Sequence, residues 1–318
     1  MTLFHLKMPG DSFCGLNLKI SFKEAGMRIF LSIFLCSFFC SSNAQTLAKW
    51  AQTVHWDGVS HWSKYIRSEA GYMGPNALPV PFIGNGSIDS SLSFTATANL
   101  HFTKGDKTQN PALYGNYCLV KNVISFDMYW IPFEYYKMSN AIKEERHVYY
   151  TFFSDKKARG DIYINTNIQL LNKWRKNIHL VLRAGFRYPS SSDLGAARYT
   201  DGMGYYFDLS FGKPIGATGL KWIGMLGFYC WQVDLDRFRQ NDAPLFGTGL
   251  EWNPKGWKLQ SSVSGYKGYM EQSRDKPIVF RVSAEKRINK NILLIRMQQG
   301  LHDFKYTSVE FGGKYIFK

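Results

Sequence analysis

Two histidines and a scatter of aspartates are the residues of this 318-residue chain best suited to chemistry. His302 is followed directly by Asp303, and His101 stands in a run that alternates polar and apolar residues. An imidazole beside a carboxylate, with a Ser or Thr hydroxyl as nucleophile, is the arrangement of acyl chemistry. Asp106 in "KGD", Asp201 in "ARYTDG" and Asp242 in "RQND" are hard oxygen donors of the kind that hold Ca²⁺. The same short motifs also build turns, so each reads equally well as loop chemistry. The sequence has no nucleotide-binding loop, zinc motif or nucleophile elbow. "GNGSIDSS" at 84–91 has the Gly and Ser of such motifs but no strand–turn–helix context, and it reads as a tight turn into a strand.

A second group of charges is defined by alternation. Strand registers place Asp127, Asp208, Glu251, Glu285 and Glu310 on the same side as Arg183, Arg187, Lys258, Arg281, Arg296 and Lys314. Charges kept from water are costly unless matched, so acids and bases on one face predict a paired network. Two roles fit. The charges cross-brace a filled interior, or they line a narrow polar pore in which Arg183 and Arg187 favour a small anionic solute.

Elements that face two environments must position these groups. In "LSFTATANLHF", Leu92, Phe94, Ala96, Ala98, Leu100 and Phe102 share one face, and Ser93, Thr95, Thr97, Asn99 and His101 share the other. Period-two alternation of this length predicts a strand, not a helix. "DIYINTNIQLL", "IHLVLRAGFRY" and "GYYFDLSFG" repeat it. "WIGMLGFYCW" is apolar on both faces. Twelve strands are expected, over 91–103, 120–136, 148–155, 161–172, 177–188, 203–213, 220–234, 245–253, 257–269, 277–288, 292–303 and 306–318. Short connections ("NKWRKN", "KPIGATG", "NPKG", "INKN") alternate with longer or more charged ones ("KGDKTQNPALYGNY", "PSSSDLGAARYTDG", "LDRFRQNDAP", "EQSRDK"). The connection at 137–147 is long for the short-turn end. Strands one and eleven, flanking the last, would bring His101, Asp242, His302 and Asp303 to one rim.

Composition supports this. Aromatics make up 16 % of the chain, with 19 Tyr and 24 Phe, as suits strands. The net charge of +15 comes without a dense Lys/Arg run or a recognition motif, so no nucleic-acid partner is expected. "MRIFLSIFLCSFFCSSNAQ", from Met27, has the basic start, apolar core and small-residue exit of a secretory signal peptide, with cleavage expected after Ala44. That removes Cys14, Cys36 and Cys40; the two remaining cysteines, Cys118 and Cys230, make neither a disulfide framework nor a metal site. Beyond the signal no apolar run is long enough for a membrane helix.

With signal, alternation, turn asymmetry and a terminal strand "YTSVEFGGKYIFK", residues 90–318 resemble a bacterial outer-membrane β-barrel of about twelve strands. The resemblance implies an all-β, closed antiparallel transmembrane barrel in the Gram-negative outer membrane. It also implies contact with outer-membrane lipid and recognition of the last strand by the barrel assembly machinery. Tyr315 and Phe317 match the alternating aromatics of such strands, although Lys318 follows where Phe commonly ends them. The domain reading is 1–44 for upstream residues and signal, 45–89 for an N-terminal periplasmic or plug segment, and 90–318 for the barrel. No resident cofactor is expected. Some twelve-stranded outer-membrane proteins are lipid-cleaving hydrolases, and Ca²⁺ at the rim would accompany that alternative. A third reading is a surface barrel that binds a protein partner.

Overall fold

The structure, a computed structural model, describes residues 46–153, 156–174, 177–233, 239–268 and 275–317. The signal segment and its cleavage site lie outside the described residues. The chain divides into two units, Met1–Lys49 and Trp50–Lys318, and the fold below is that of the second.

Among the described residues, fourteen strands form one antiparallel sheet: β1 (Ser93–Thr103), β2 (Asp106–Val120), β3 (Ile124–Trp130), β4 (Glu134–Met138), β5 (Lys157–Ala158), β6 (Ile162–Trp174), β7 (Ile178–Tyr188), β8 (Gly204–Ile215), β9 (Leu220–Val233), β10 (Arg239–Trp252), β11 (Trp257–Tyr266), β12 (Ile278–Ile288), β13 (Asn291–His302) and β14 (Thr307–Ile316). Twelve of them close a barrel. β1 pairs β2 on one side and β14 on the other, from Ser93↔Ile316 to Phe102↔Thr307. β4 and β5 are outside this ring: β4 continues the line of β3 against the first residues of β2, and β5 pairs with β4.

The alternation has the expected physical cause. Leu92, Phe94 and Phe102 are exposed, while Ser93, Thr95, Thr97, Asn99 and His101 between them are buried. In the last strand Phe311 and Tyr315 face outward, as does Phe317 just beyond it, and Glu310 faces in. An apolar, aromatic outer wall with a polar interior is the pattern a bilayer solvates and water does not. No helix among the described residues is long and apolar enough to cross a membrane.

Two expected assignments differ in a way that bears on the strand count. Residues 106–120 form a full strand, β2, although "KGDKTQNPALYGNY" reads as a loop; the actual turn is the tight Lys104–Gly105, with Gly105 at φ 87°. Residues 148–155 contain no strand among those described; Tyr150–Phe152 is a 3-10 helix. The two differences cancel in the count but move the connections. The segment 139–153, with its helix Asn140–Glu145 capped by Ser139, lies at the long-loop end. That removes the anomaly of a long connection at the short-turn end. The expected strand 120–136 is also broken: β3 stops at Trp130, and β4 starts beyond Pro132, which has no amide hydrogen to give a ladder.

The hydrophobic core lies inside the barrel. Ile66, Ala70, Met73, Ala77, Leu78, Val80 and Ile83 from the residues before β1 are buried together with Tyr229, Trp231, Leu245, Tyr266 and Val279 of the wall. This explains the doubly apolar β9: Trp222 and Leu226 face out, while Ile223, Met225, Tyr229 and Trp231 pack on that inner segment.

Candidate functional site

The segment Met73–Gly86, "MGPNALPVPFIGNG", runs down the interior with no regular secondary structure from 79 to 85. Pro75, Pro79 and Pro81 carry no amide hydrogen, so this stretch mainly offers carbonyl oxygens. Buried carbonyls require donors, and inward side chains of the wall supply them. Arg187 Nη1 donates to Ala77 O (2.8 Å), Tyr266 OH to Leu78 O (3.1 Å), and Arg281 to Val80 O (2.5 Å) and Pro81 O (3.1 Å). Arg183 Nη2 donates to Phe82 O (2.7 Å) and Gln169 Nε2 to Gly86 O (2.7 Å). Asn85 Nδ2 bonds Glu251 at 3.1 Å, and Asp89 pairs with Lys314. Near the bottom, backbone meets backbone. Gly86 has φ 78°, and a Cβ on the facing Gly212 would overlap Asn85 O.

At the long-loop end the segment is fastened by a buried ionic cluster. Arg198 donates to Asp106 (2.8 Å) and Glu134 (2.7 Å), and Arg146 to Asp106 (2.7 Å). Tyr306 OH donates to Asp106 (2.6 Å) and Tyr199 OH to Glu134 (2.8 Å). Asn76 Nδ2 joins from the inner segment, bonding Glu134 Oε2 (2.9 Å) and Asn110 Oδ1 (3.0 Å). The cluster ties β2, β4, the turn after the short helix and two loops to residue 76. Two guanidiniums against two carboxylates leave it neutral. Above it, Asp275 Oδ2 accepts the Ala70 amide at 3.3 Å and Asp303 Oδ2 accepts the Lys276 amide at 2.9 Å. Burial, reinforced by the neighbouring Glu69 and Asp303 charges, pushes the Asp275 carboxyl up to about 7.

The sequence-derived candidates now have places. Asp208 pairs with Arg183 at 2.6 Å and Glu310 with Arg296 at 2.5 Å; Glu285 is 3.8 Å from Lys258; Asp127 accepts from Asn165 and Asn167. Arg187 stands 3.9 Å from Asp161. Arg281 differs: its four hydrogen bonds go to Gln298, Ser264 and the Val80 and Pro81 carbonyls, all neutral. The rim candidates do not form one site. His101 is buried in the lumen wall between Ser308 (Nδ1, 2.7 Å) and Asn110 (Nε2, 3.0 Å). His302 lies past a register shift in β13, half-exposed, against Lys276 O and Asp303. Asp242 is opposite Cys230 in the β9–β10 pair. Asp106, weighed as an oxygen ligand for Ca²⁺, is occupied by two arginines and a tyrosine. Asp201 follows the buried Arg198–Thr200 run in the long loop. No group of three His, Cys, Asp or Glu suited to a metal occurs among the described residues.

Cavities remain around the inner segment. One of about 180 Å³ lies above, lined by Pro79, Pro81, His101, Tyr114, Tyr129 and Tyr163 among others. One of about 170 Å³ lies beside Lys258, Ser262 and Ser283, and another of about 170 Å³ beside Gly86, Asn116 and Asn167. The first and second share Phe82, Arg281 and Arg296 in their walls; the first and third share Asp127 and Arg183. The Phe82 ring is held between the guanidiniums of Arg281 (4.3 Å) and Arg296 (4.2 Å). Phe82 and the two guanidiniums that hold it therefore stand between the upper cavity and one lower one.

No protein-family profile matches this chain, and no curated protein matches it in sequence. In structure it is similar to an outer membrane channel of Pseudomonas putida F1, with a TM-score of 0.50 and 10 % identity over 74 % of this chain and 100 % of that one. The translocator domain of the autotransporter NalP of Neisseria meningitidis aligns with a TM-score of 0.44 and 12 % identity over 72 % of this chain and 90 % of that one. With the closed ring of strands, the apolar outer wall and the polar interior already described, the chain has the fold of a bacterial outer-membrane β-barrel of twelve strands.

Proposed function

We propose that the protein is a gated channel for small polar solutes, shut at rest by residues 76–89 as an internal plug. The observation that carries the reading is the way this segment is held. Side chains of the wall bind six of its carbonyls between Ala77 and Gly86, while cavities persist around it and are parted mainly by Phe82 and Arg183. Hydrogen bonds to charged donors contribute about 1.5–3 kcal/mol each and can be lost singly. Moving Phe82 and a few carbonyls would join the upper and lower cavities without dismantling the barrel. Channel activity is measured in planar bilayers. The wild type is expected to show small, infrequent openings, and Arg183→Ala, which frees Phe82 O, a higher open fraction. A folded, heat-modifiable Arg183→Ala barrel that never conducts at any voltage would refute the channel.

A further inference from the structure

The lower cavity beside β11 and β12 has an unbalanced wall. It is lined by Lys258, Arg281 and Arg296 against one carboxylate, Glu285, with the hydroxyls of Ser262 and Ser283. Arg296 is matched by Glu310 and Lys258 lies between Glu251 and Glu285, but Arg281 is bonded only to neutral acceptors. Arg281 is 5 % exposed, so among the described residues this is a buried guanidinium with no carboxylate bonded to it. A buried charge of that kind is costly until an opposite charge reaches it, and guanidinium with hydroxyls is the chemistry that binds oxyanions.

Resting on the channel reading, we propose that this cavity binds a small oxyanion, a phosphate or carboxylate group, and that its binding releases the plug. The link is Arg281 itself. The guanidinium that faces the cavity also holds the Val80 and Pro81 carbonyls and stacks on Phe82. An oxyanion is the stronger acceptor, so it draws Arg281 away from two plug carbonyls and unseats the ring that parts the two cavities. Ligand and plug compete for one set of donors. The solute thus promotes its own passage, and plug anchoring weakens anion binding by the same factor, as linkage requires.

The test uses the full refolded barrel in detergent and follows amide hydrogen exchange at Val80, Phe82 and Ile83. Inorganic phosphate and acetate are each titrated against chloride at equal ionic strength. The expected result is a saturable, severalfold acceleration with phosphate, acetate or both; the more effective anion gives the solute class. Lys258→Gln is expected to move the midpoint to higher anion concentration, and Arg281→Gln to exchange fast in chloride and ignore both anions. Equal exchange in all three salts overturns the proposal. The readout needs no conductance: a barrel that conducts but shows no anion response keeps the channel and loses the site. One that responds but never conducts, even as Arg183→Ala, keeps the site and loses the channel.

Discussion

Asp275 makes the upper attachment of the inner segment sensitive to pH. It is 5 % exposed and accepts the Ala70 amide, with Glu69 and Asp303 as like charges nearby and Lys276 and His302 beside them. Burial first, then Glu69 and Asp303, raise its pKa from 3.8 to about 7. A carboxyl whose pKa is raised in the docked segment binds its proton more tightly there than when released to water. The stability of this attachment is therefore complete at low pH, falls as pH rises from about 4 toward 7, and levels off above that. The raised value implies roughly 2–3 kcal/mol lost between pH 5 and pH 8 on the linkage relation. That corresponds to a fall of about 30- to 150-fold in protection of the Ala70 amide, after correction for intrinsic exchange. Asp275→Asn keeps an acceptor for Ala70 and removes the charge, so its protection is expected to stay flat. Equal wild-type protection at the two pH values, or an Asn variant that still follows pH, would refute the reasoning.

Two further outcomes follow from the same contacts. Gly212→Val puts a side chain where Asn85 O already lies and should expel residues 84–86 from the wall; proteolysis there should become rapid while the strands stay folded. Arg198→Met leaves Glu134 without a guanidinium partner and Asp106 with one guanidinium, Arg146, in place of two. Thermal unfolding should show about 3–5 kcal/mol of lost stability, the cost of stranding a buried charge.

The wall was largely legible because a bilayer outside and polar groups inside enforce alternation, as in β1 and β14. β2 was not. Its first turns carry Lys107, Gln109 and Pro111 on the outer side and Asp106, Thr108 and Asn110 on the inner, so the period has no apolar face to mark it. The overlong connection at 137–147 was the trace of that missing strand. The inward charges could be assigned by parity, but not their use, because parity says nothing about what fills the space they face. The surplus of inward bases over acids and the amide-poor "PNALPVPF" were the available signals: extra donors on the wall, and bare carbonyls to receive them.

Because the core of this barrel is its lumen, the proposed channel draws folding stability and permeability from the same contacts. Val80 and Ile83 are 1 % and 6 % exposed. Withdrawing both from apolar contact costs roughly 3–6 kcal/mol. That burial alone keeps the released state below about one molecule in a hundred, before the carbonyl hydrogen bonds are counted. A better-packed interior would make a sturdier barrel and a rarer opening, and a looser one would leak. In the proposed channel, the size of the side chains at 80 and 83 thus helps to set a duty cycle, and an upper limit on how stable the protein can be while still admitting a solute.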